Sequence, residues 1–405
     1  MKRRRVFFRE FPFNRLSWPL LLNIWEKHDL DQAFDIQIIS SLNGLADFGP
    51  DDTLCYSFMT PHLPLIAAEL AALPQPGGLL ICGGPQATGD PELSARVGFD
   101  LVFSGPAEET FLSFGQALDS GSISDINSLQ QGRDLDFSGY LPVSRHLERL
   151  PPLELVRGCR HHCRFCQTAS RQPRSRSRES VRVYLEILAA RGARRVNFIN
   201  PSGLEFPGRE SNDPEANTIF SILEECRELG LHQVEYGIFP SELRPESLDG
   251  EKADMLARFV SNRSLTIGLQ SGLESRLLSL SRGHDLRVVL EAVDLANARG
   301  FKVNLDLILA LPEETRTERK ETAALLRSIK RRHAVRIQVH HFFPLAGSAY
   351  ADRLPAFLEE AEKNEWYELE RSGLITGWWR GGELEARAYL EWISLAFPDC
   401  FRLFH

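Results

Sequence analysis

Apolar runs of strand length alternate with helix-patterned segments along most of this chain, and that alternation admits few folds. Strand-length runs stand at residues 4–8, 35–39, 53–58, 79–82 and 101–103. Between them, apolar residues recur at helical spacing over 16–27, 61–73 and 108–118, with Pro61 near a first turn. The alternation resumes with strand runs at 153–156, 196–199, 233–238, 265–269, 303–308 and 335–340. Helical segments at 181–191, 215–230, 252–259, 286–299 and 318–331 follow the same order. Strands joined through helices run parallel and are covered on both faces. The pattern predicts an α/β chain: a doubly wound parallel sheet over residues 1–118, then a partial (β/α)6 barrel over 153–348. Residues 119–152, rich in Ser, Gly, Asp and Pro without a period, read as a linker. Residues 349–405 have a helical period and carry Trp378, Trp379 and Trp392, which predicts a small helical cap.

Bulk properties remove several function classes. A net charge of −8 argues against nonspecific nucleic-acid binding by the chain as a whole. No run approaches the eighteen or so apolar residues of a membrane span. The basic start is broken by Arg9, Glu10, Pro12 and Arg15, so it reads as an initial strand rather than an export signal. The expected location is the cytoplasm, away from membranes. Seven cysteines, three of them clustered, make no disulfide framework, and Cys55 and Cys82 read as buried thiols in strands.

The clustered cysteines, Cys159, Cys163 and Cys166, lie in R-G-C-R-H-H-C-R-F-C at residues 157–166. A closed zinc site takes four protein ligands, and the next cysteine, Cys226, is sixty residues on. Three thiolates instead suit a cubane iron–sulfur cluster with one iron left open to a cosubstrate. The competing reading is a zinc loop completed by His161 or His162, which occupy spacer positions.

Gly158, the CxxxCxxC spacing and Phe165 before the last cysteine resemble the radical S-adenosylmethionine (SAM) superfamily. That resemblance implies a 4Fe-4S cluster on the three cysteines, SAM chelating the open iron, and Phe165 near the adenine. Asn200 and Ser202 follow the second barrel strand, where the family binds the amino group of SAM, although no glycine–glycine–glutamate stands there. G-L-Q-S-G at 268–272, R-G-H at 282–284 and D-L-I-L-A-L-P-E-E-T at 306–315 resemble one branch of the family. It contains oxygen-independent coproporphyrinogen dehydrogenase and the methylthiotransferases. Carried over, Gln270 and Asp306 contact the ribose and methionine parts of SAM, and Arg282 approaches its carboxylate. The usual glycines of the last segment are Ala310 and Glu313 here. H-H-F-F-P-L-A-G-S at 340–348 resembles the segment that closes such a core, and strand alternation lets only one of His340 and His341 face the interior. Glu242 and Arg244, after the third strand, read either as a pair orienting a polar substrate or as a structural pair.

G-G-P-Q-A-T-G at 83–89 and F-D-L-V-F-S-G-P-A-E-E-T at 99–110 resemble the cobalamin-binding domain that precedes many radical SAM cores. The resemblance implies backbone contacts to cobalamin from Gly83, Gly84 and Gly105. No D-x-H-x-x-G loop is present, Gln86 stands where relatives often show histidine, and Pro106-Ala107 interrupts the usual G-E-G-E. Two enzyme readings follow. Either the chain uses cobalamin for methyl transfer or another modification of an unactivated carbon, or its first domain only binds substrate. A methylthiotransferase would need a second set of three clustered cysteines, and only Cys55 and Cys82 are available. A sensing or scaffolding iron–sulfur or zinc protein is opposed by Gln270, Arg282 and Asp306. The expected partners are a small-molecule or peptide substrate and a low-potential reductant such as flavodoxin or ferredoxin. Eight arginines between 157 and 182 read as a solvated helix start or as a landing site for an acidic reductant or an anionic substrate.

Overall fold

The computed structural model describes residues 3–43, 45–74, 77–134, 136–206 and 219–405. The chain divides into two compact units, Met1–Pro152 with Leu345–Gly347, and Leu153–Pro344 with Ser348–His405.

In the first unit six strands form one sheet: β1 (Arg4–Arg9), β2 (Phe34–Ile39), β3 (Thr53–Ser57), β4 (Leu79–Gly83), β5 (Leu101–Ser104) and β6 (Leu129–Gln131). Their order is β2-β1-β3-β4-β5-β6 and every pair is parallel, so the strand order reverses between β1 and β3. The helices Ser17–Glu26 and Glu108–Ser120 bury Trp18, Trp25, Phe111 and Phe114 against Phe8 and Phe103 of the sheet. Trp25 stacks on Phe111 at 4.7 Å, and its Nε1 donates to the Phe111 carbonyl at 2.9 Å. Gly115 permits that approach, since a Cβ there would lie 2.6 Å from Trp25 Nε1.

The stretch expected to be a linker belongs to this unit. It supplies β6, and Asn23 ties it down by donating to the Val143 carbonyl at 2.9 Å and accepting from Leu141 N at 3.0 Å. β6 reads Leu-Gln-Gln and is exposed or half-buried throughout, so an edge strand of this kind has no apolar period to announce it. The expected helix over 61–73 is a 3-10 turn, Thr60–His62, followed by the α-helix Leu63–Ala71.

The second unit begins with β7 (Leu153–Glu154) and the antiparallel pair β8 (Val156–Arg157) and β9 (Arg174–Ser175). Its other strands are β10 (Arg195–Ile199), β11 (Gln233–Glu235), β12 (Ser264–Gln270), β13 (Lys302–Leu309), β14 (Val335–His341) and β15 (Ile375–Thr376). They pair in parallel as β11-β10-β7 and β12-β13-β14-β15. A parallel bridge between Leu243 and Ile267, with Thr266 N donating to the Gly237 carbonyl at 2.7 Å, joins the two runs. Six strand–helix units therefore make the partial barrel that the alternation predicted. β13 shows why. Val303, Leu305, Leu307 and Leu309 are buried, while Asn304, Asp306 and Ile308 lie half-buried on the opposite face.

Residues 215–218 of the expected helix lie outside the described residues, and the remainder forms Ile219–Glu228. The tail forms the helices Glu360–Arg371 and Trp379–Ala396, but it is not wholly helical, because β15 pairs with β14. Among the described residues, no helix is long and apolar enough to cross a membrane.

Candidate functional site

The three clustered cysteines sit on a loop that the β8–β9 hairpin pinches at its base. Gly158 has φ +80°, and a Cβ on it would fall 2.5 Å from the Gln172 carbonyl, so only glycine fits. Cys159 N donates to the Arg171 carbonyl and Cys166 N to that of Cys163, each at 3.0 Å. Farther along, Arg164 N donates to the Leu280 carbonyl at 3.1 Å. Cys163 is buried, and Cys159 and Cys166 are half-buried. Burial pushes the Cys159 thiol up, and the neighbouring Cys166 and Cys163 sulfurs add to that rise. Thiolates crowded in this way are relieved by bound metal. Cys163 Sγ also accepts from Arg244 Nη1 at 3.3 Å and from Arg282 Nη1 at 3.2 Å, as a thiolate ligand does. His161 is turned to Glu205, with Nε2 3.1 Å from each carboxylate oxygen, and His162 is exposed. Phe165 packs half-buried against Leu280, Leu311 and Phe342.

The loop after β10 changes one expectation. Asn200 is fully buried, and its amide is consumed by the loop itself. Its Nδ2 donates to the Gly203 carbonyl at 3.2 Å, the Glu205 carbonyl at 3.0 Å and the Tyr236 hydroxyl at 2.9 Å. Its Oδ1 accepts from Ser202 N at 3.2 Å. Asn200 is thus a turn-forming residue, with both polar atoms of its amide engaged within the chain. Ser202 differs, because its Oγ is buried without a partner. Ser202 and Glu205 line a cavity of about 170 Å³ together with Val156, Gly158 and Cys159. Sequence reasoning missed Glu205, since only the fold of the Asn200 turn brings it to the cysteine loop.

At the ends of β12 to β14 the backbone itself is unusual. Gln270 has φ +66° at an irregularity in the β12–β13 pairing. A Cβ on Gly268 would lie 2.4 Å from Gln270 Nε2 and 3.0 Å from Arg282 Nη2, so this glycine makes room for both side chains. Ala310 and Glu313 have φ +62° and +59°, in the left-handed region that favours glycine. The backbone therefore keeps a shape suited to glycines although the sequence departs from them. Arg282 Nε and Asp306 Oδ1 are buried without hydrogen-bond partners.

Asp306 Oδ1 lies 3.9 Å from His340 Nε2, a charge pair rather than a hydrogen bond. Asp306 pushes the His340 imidazole up against the opposing effect of burial. Burial pushes the Glu242 carboxyl up, and the charge of Asp306 adds to it. His341 points the other way. It is buried against Phe357, Nδ1 lies 2.7 Å from the Phe342 carbonyl, and burial pushes it down to about 4. Of the two histidines, His340 shares a face with Asp306.

Two other readings change. Arg244 pairs with Glu246 at 2.6 Å. Much of the arginine run also has partners within the chain, including Arg157 with Glu154 at 2.7 Å, Arg178 with Glu225 at 2.9 Å and Arg160 with Glu205 at 3.2 Å.

In the first unit Gly84 has φ +89°, but the space a Cβ would need is already taken. Ser57 Oγ lies 2.7 Å from that point and Phe58 N 3.0 Å. The absent Cβ of Gly84 thus allows the close approach of Ser57 and Phe58 at the end of β3. A Cβ on Gly83 would meet Phe103 at 3.6 Å, an ordinary contact. Gly105 has φ +89°, and its N–H donates to Thr88 Oγ1 at 3.0 Å. Gln86 is fully buried with Oε1 unpaired.

Comparison with known proteins gives three results. Residues 153–326 match the model of the Radical SAM superfamily. An uncharacterized protein of Methanopyrus kandleri is 24% identical over 67% of this chain and 62% of its own length. A tRNA-2-methylthio-N(6)-dimethylallyladenosine synthase of Halorhodospira halophila is 26% identical over 48% of this chain and 42% of its own length. The chain thus spans less than two thirds of these curated relatives. Among solved structures, the radical SAM methyltransferase TsrM from Kitasatospora setae, with cobalamin and a 4Fe-4S cluster bound, superposes with TM-score 0.58 at 14% identity. That match covers 87% of this chain and 77% of TsrM. The cobalamin-dependent radical SAM enzyme OxsB, with aqua-cobalamin and SAM bound, gives 0.52 at 15% identity, over 92% of this chain and 56% of OxsB. Likeness at this identity concerns the fold.

Proposed function

Starting from a chain whose residues 153–326 are a radical SAM domain, we propose an enzyme that cleaves SAM reductively at Cys159, Cys163 and Cys166 and uses cobalamin in its first unit to methylate or otherwise modify an unactivated carbon. The observation that carries this reading is a set of unpaired polar atoms at the barrel's strand ends. Ser202 Oγ, Arg282 Nε and Asp306 Oδ1 are buried without a hydrogen-bond partner in the chain. Burying such groups unpaired costs about 1–3 kcal/mol each, which a polar ligand offsets by bonding to them.

When bound, the cluster and the corrinoid supply electron delivery to SAM and methyl carriage. The chain's own residues bind and orient. Cys159, Cys163 and Cys166 hold the iron. Arg282 faces the SAM carboxylate with a fixed guanidinium, and Asp306 accepts from its polar hydrogens. Phe165 flanks the adenine, and Gln270, set by its left-handed backbone, reaches the ribose. Ser202 and Glu205 bound the cavity beside Cys159. His340, paired with Asp306, is placed to hold a proton at Nε2. Electrons come from a low-potential reductant of the flavodoxin or ferredoxin kind. In the first unit, Gly83, Gly105 and the unpaired Gln86 Oε1 suit a corrinoid. With no D-x-H-x-x-G loop in the chain, a bound corrinoid would receive no histidine from such a loop.

A methylthiotransferase reading is weaker. Cys55 and Cys82 are buried in β3 and β4, and burial pushes both thiols well up, the opposite of a thiolate poised for iron.

Anaerobic reconstitution tests the proposal. The protein is expected to bind about four irons per chain and a corrinoid with a base-off absorption spectrum, and to cleave SAM under dithionite. The Cys159, Cys163 and Cys166 triple alanine variant is expected to bind almost no iron. Stoichiometric tetrahedral zinc in protein purified without air overturns the cluster. Loss of all corrinoid with SAM cleavage intact moves the assignment to the cobalamin-free enzyme.

A further inference from the structure

Cys163 is the buried member of the cysteine trio, and two guanidinium groups reach its sulfur. Arg282 Nη1 is 3.2 Å from it and Arg244 Nη1 3.3 Å, and each arginine is only 6% exposed. Arg282 has a second task in the proposed SAM site. Arg244 has none, yet it is held on three sides.

Its Nε donates to Glu246 Oε1 at 2.6 Å, its Nη2 donates to the Arg282 carbonyl, and its Nη1 points at the sulfur. The other oxygen of Glu246 lies 2.7 Å from Nδ1 of His284, whose side chain is 1% exposed. Burial alone would raise the Glu246 carboxyl. The His284 contact and the Arg244 charge overcome it and push the group down to about 2. A line of contacts thus runs from a buried histidine through a carboxylate and a guanidinium to one thiolate. Because the Glu246 contact takes Nε and the carbonyl takes Nη2, the planar guanidinium has no freedom to turn Nη1 away.

We propose that Arg244 is a positioning residue for the cluster, whose Nη1–H, aimed by Glu246 and His284, donates to Cys163 and makes the cluster easier to reduce. The inference rests on the cluster reading above. Reduction adds one electron from the external low-potential reductant to the cluster, with no bond made or broken at Arg244. That electron increases the negative charge on the thiolate sulfurs, so an N–H···S bond stabilises the reduced form more than the oxidised form. Removing the donor therefore lowers the midpoint potential.

The test is an EPR-monitored redox titration of the reconstituted full chain without SAM, alongside iron and sulfide counts. R244Q is expected to hold near-native iron with a more negative midpoint. R244K, which keeps the charge but not the fork, is expected to fall between R244Q and the native protein. E246Q separates aim from charge. Losing an anion alone raises the midpoint, whereas losing the aimed donor lowers it, and a fall is expected. If R244Q does not assemble, R244K and E246Q carry the same signs. Native midpoints in variants that retain their iron, or a rise in E246Q, overturn the proposal. Failure of the native chain to assemble a cluster overturns the function reading itself and this inference with it.

Discussion

The carboxyl ends of β1 and β3 are closed by side chains in the first unit, whereas the strand ends of the second unit carry polar atoms without hydrogen-bond partners. Asn14 closes β1 and β3 by donating to the Arg9 and Ser57 carbonyls at 2.9 and 3.0 Å. Ser17 and Ser57 share a hydroxyl contact at 3.0 Å, and Phe13 lies stacked between Phe11 and His62. In the second unit, Ser202 Oγ, Arg282 Nε and Asp306 Oδ1 stand buried and unpaired. Both units are parallel α/β sheets, so topology alone marks both sets of strand ends as ligand sites. The unpaired atoms discriminate between them. By that measure the barrel is built around something polar; among the described residues the first unit holds three such atoms, Trp18 Nε1, Gln86 Oε1 and Arg149 Nε, of which Gln86 Oε1 lies just after the end of β4.

The largest expected effect tests whether Gly84 closes the end of β3. Gly84→Val forces a branched side chain into a left-handed backbone and onto Ser57 and Phe58, and is expected to cost about 3 kcal/mol or more. Gly83→Ala meets only an ordinary contact and should stay within about 1 kcal/mol of native. Thermal unfolding checks both. A Gly84→Val variant with native stability and no corrinoid uptake would break the comparison, because that glycine would then be a ligand cradle.

Next comes the split within the barrel. Asn200→Ala strands the groups its amide satisfies and is expected to cost about 2–3 kcal/mol of stability. Asp306→Ala removes a carboxylate oxygen with no hydrogen-bond partner and only a 3.9 Å charge pair to half-exposed His340, so stability should hold while SAM binding weakens by about tenfold or more. Calorimetric titration with SAM, beside unfolding curves, separates the two. The reverse pattern would dissolve the distinction between committed and open polar atoms.

A smaller effect is set by pH. Glu314 accepts from Ala310 N at 2.8 Å, and burial pushes its carboxyl up from 4.5 to about 7. The folded chain then binds more protons than the unfolded chain between those values, so stability falls as pH rises through that window. Glu314→Gln should flatten that dependence in a series of melting curves. Smallest is Glu313→Gly. The residue has φ +59° and its side chain is 80% exposed, so relief of the left-handed backbone should add about 0.5–1 kcal/mol.

The sequence shows the barrel more fully than the site. Long apolar periods mark β12 to β14 because those strands must bury Leu265, Val303 and Ile337 under helices. β6 and β15 escape notice because a short edge strand has little to bury. The cysteines declare themselves by spacing, whereas Glu205 and Arg244 depend on how loops return to the cluster, which no local period encodes. The left-handed Ala310 and Glu313 are harder still, since their letters suggest an ordinary backbone and only the fold shows the glycine-like geometry.

β15 carries a consequence for the chain as a polymer in solution. A six-strand barrel does not close on itself, so its terminal strand offers a row of free N–H and C=O groups. Ile375 and Thr376 cover part of that row on β14 by pairing with Ile337 and Gln338. Trp379, fully buried at the head of the next helix, anchors the segment that follows. Cutting the chain before residue 375 would leave β14 as a bare template for a strand from another molecule. Ile375 and Thr376 thus take up part of an edge that a strand from another molecule could otherwise pair with.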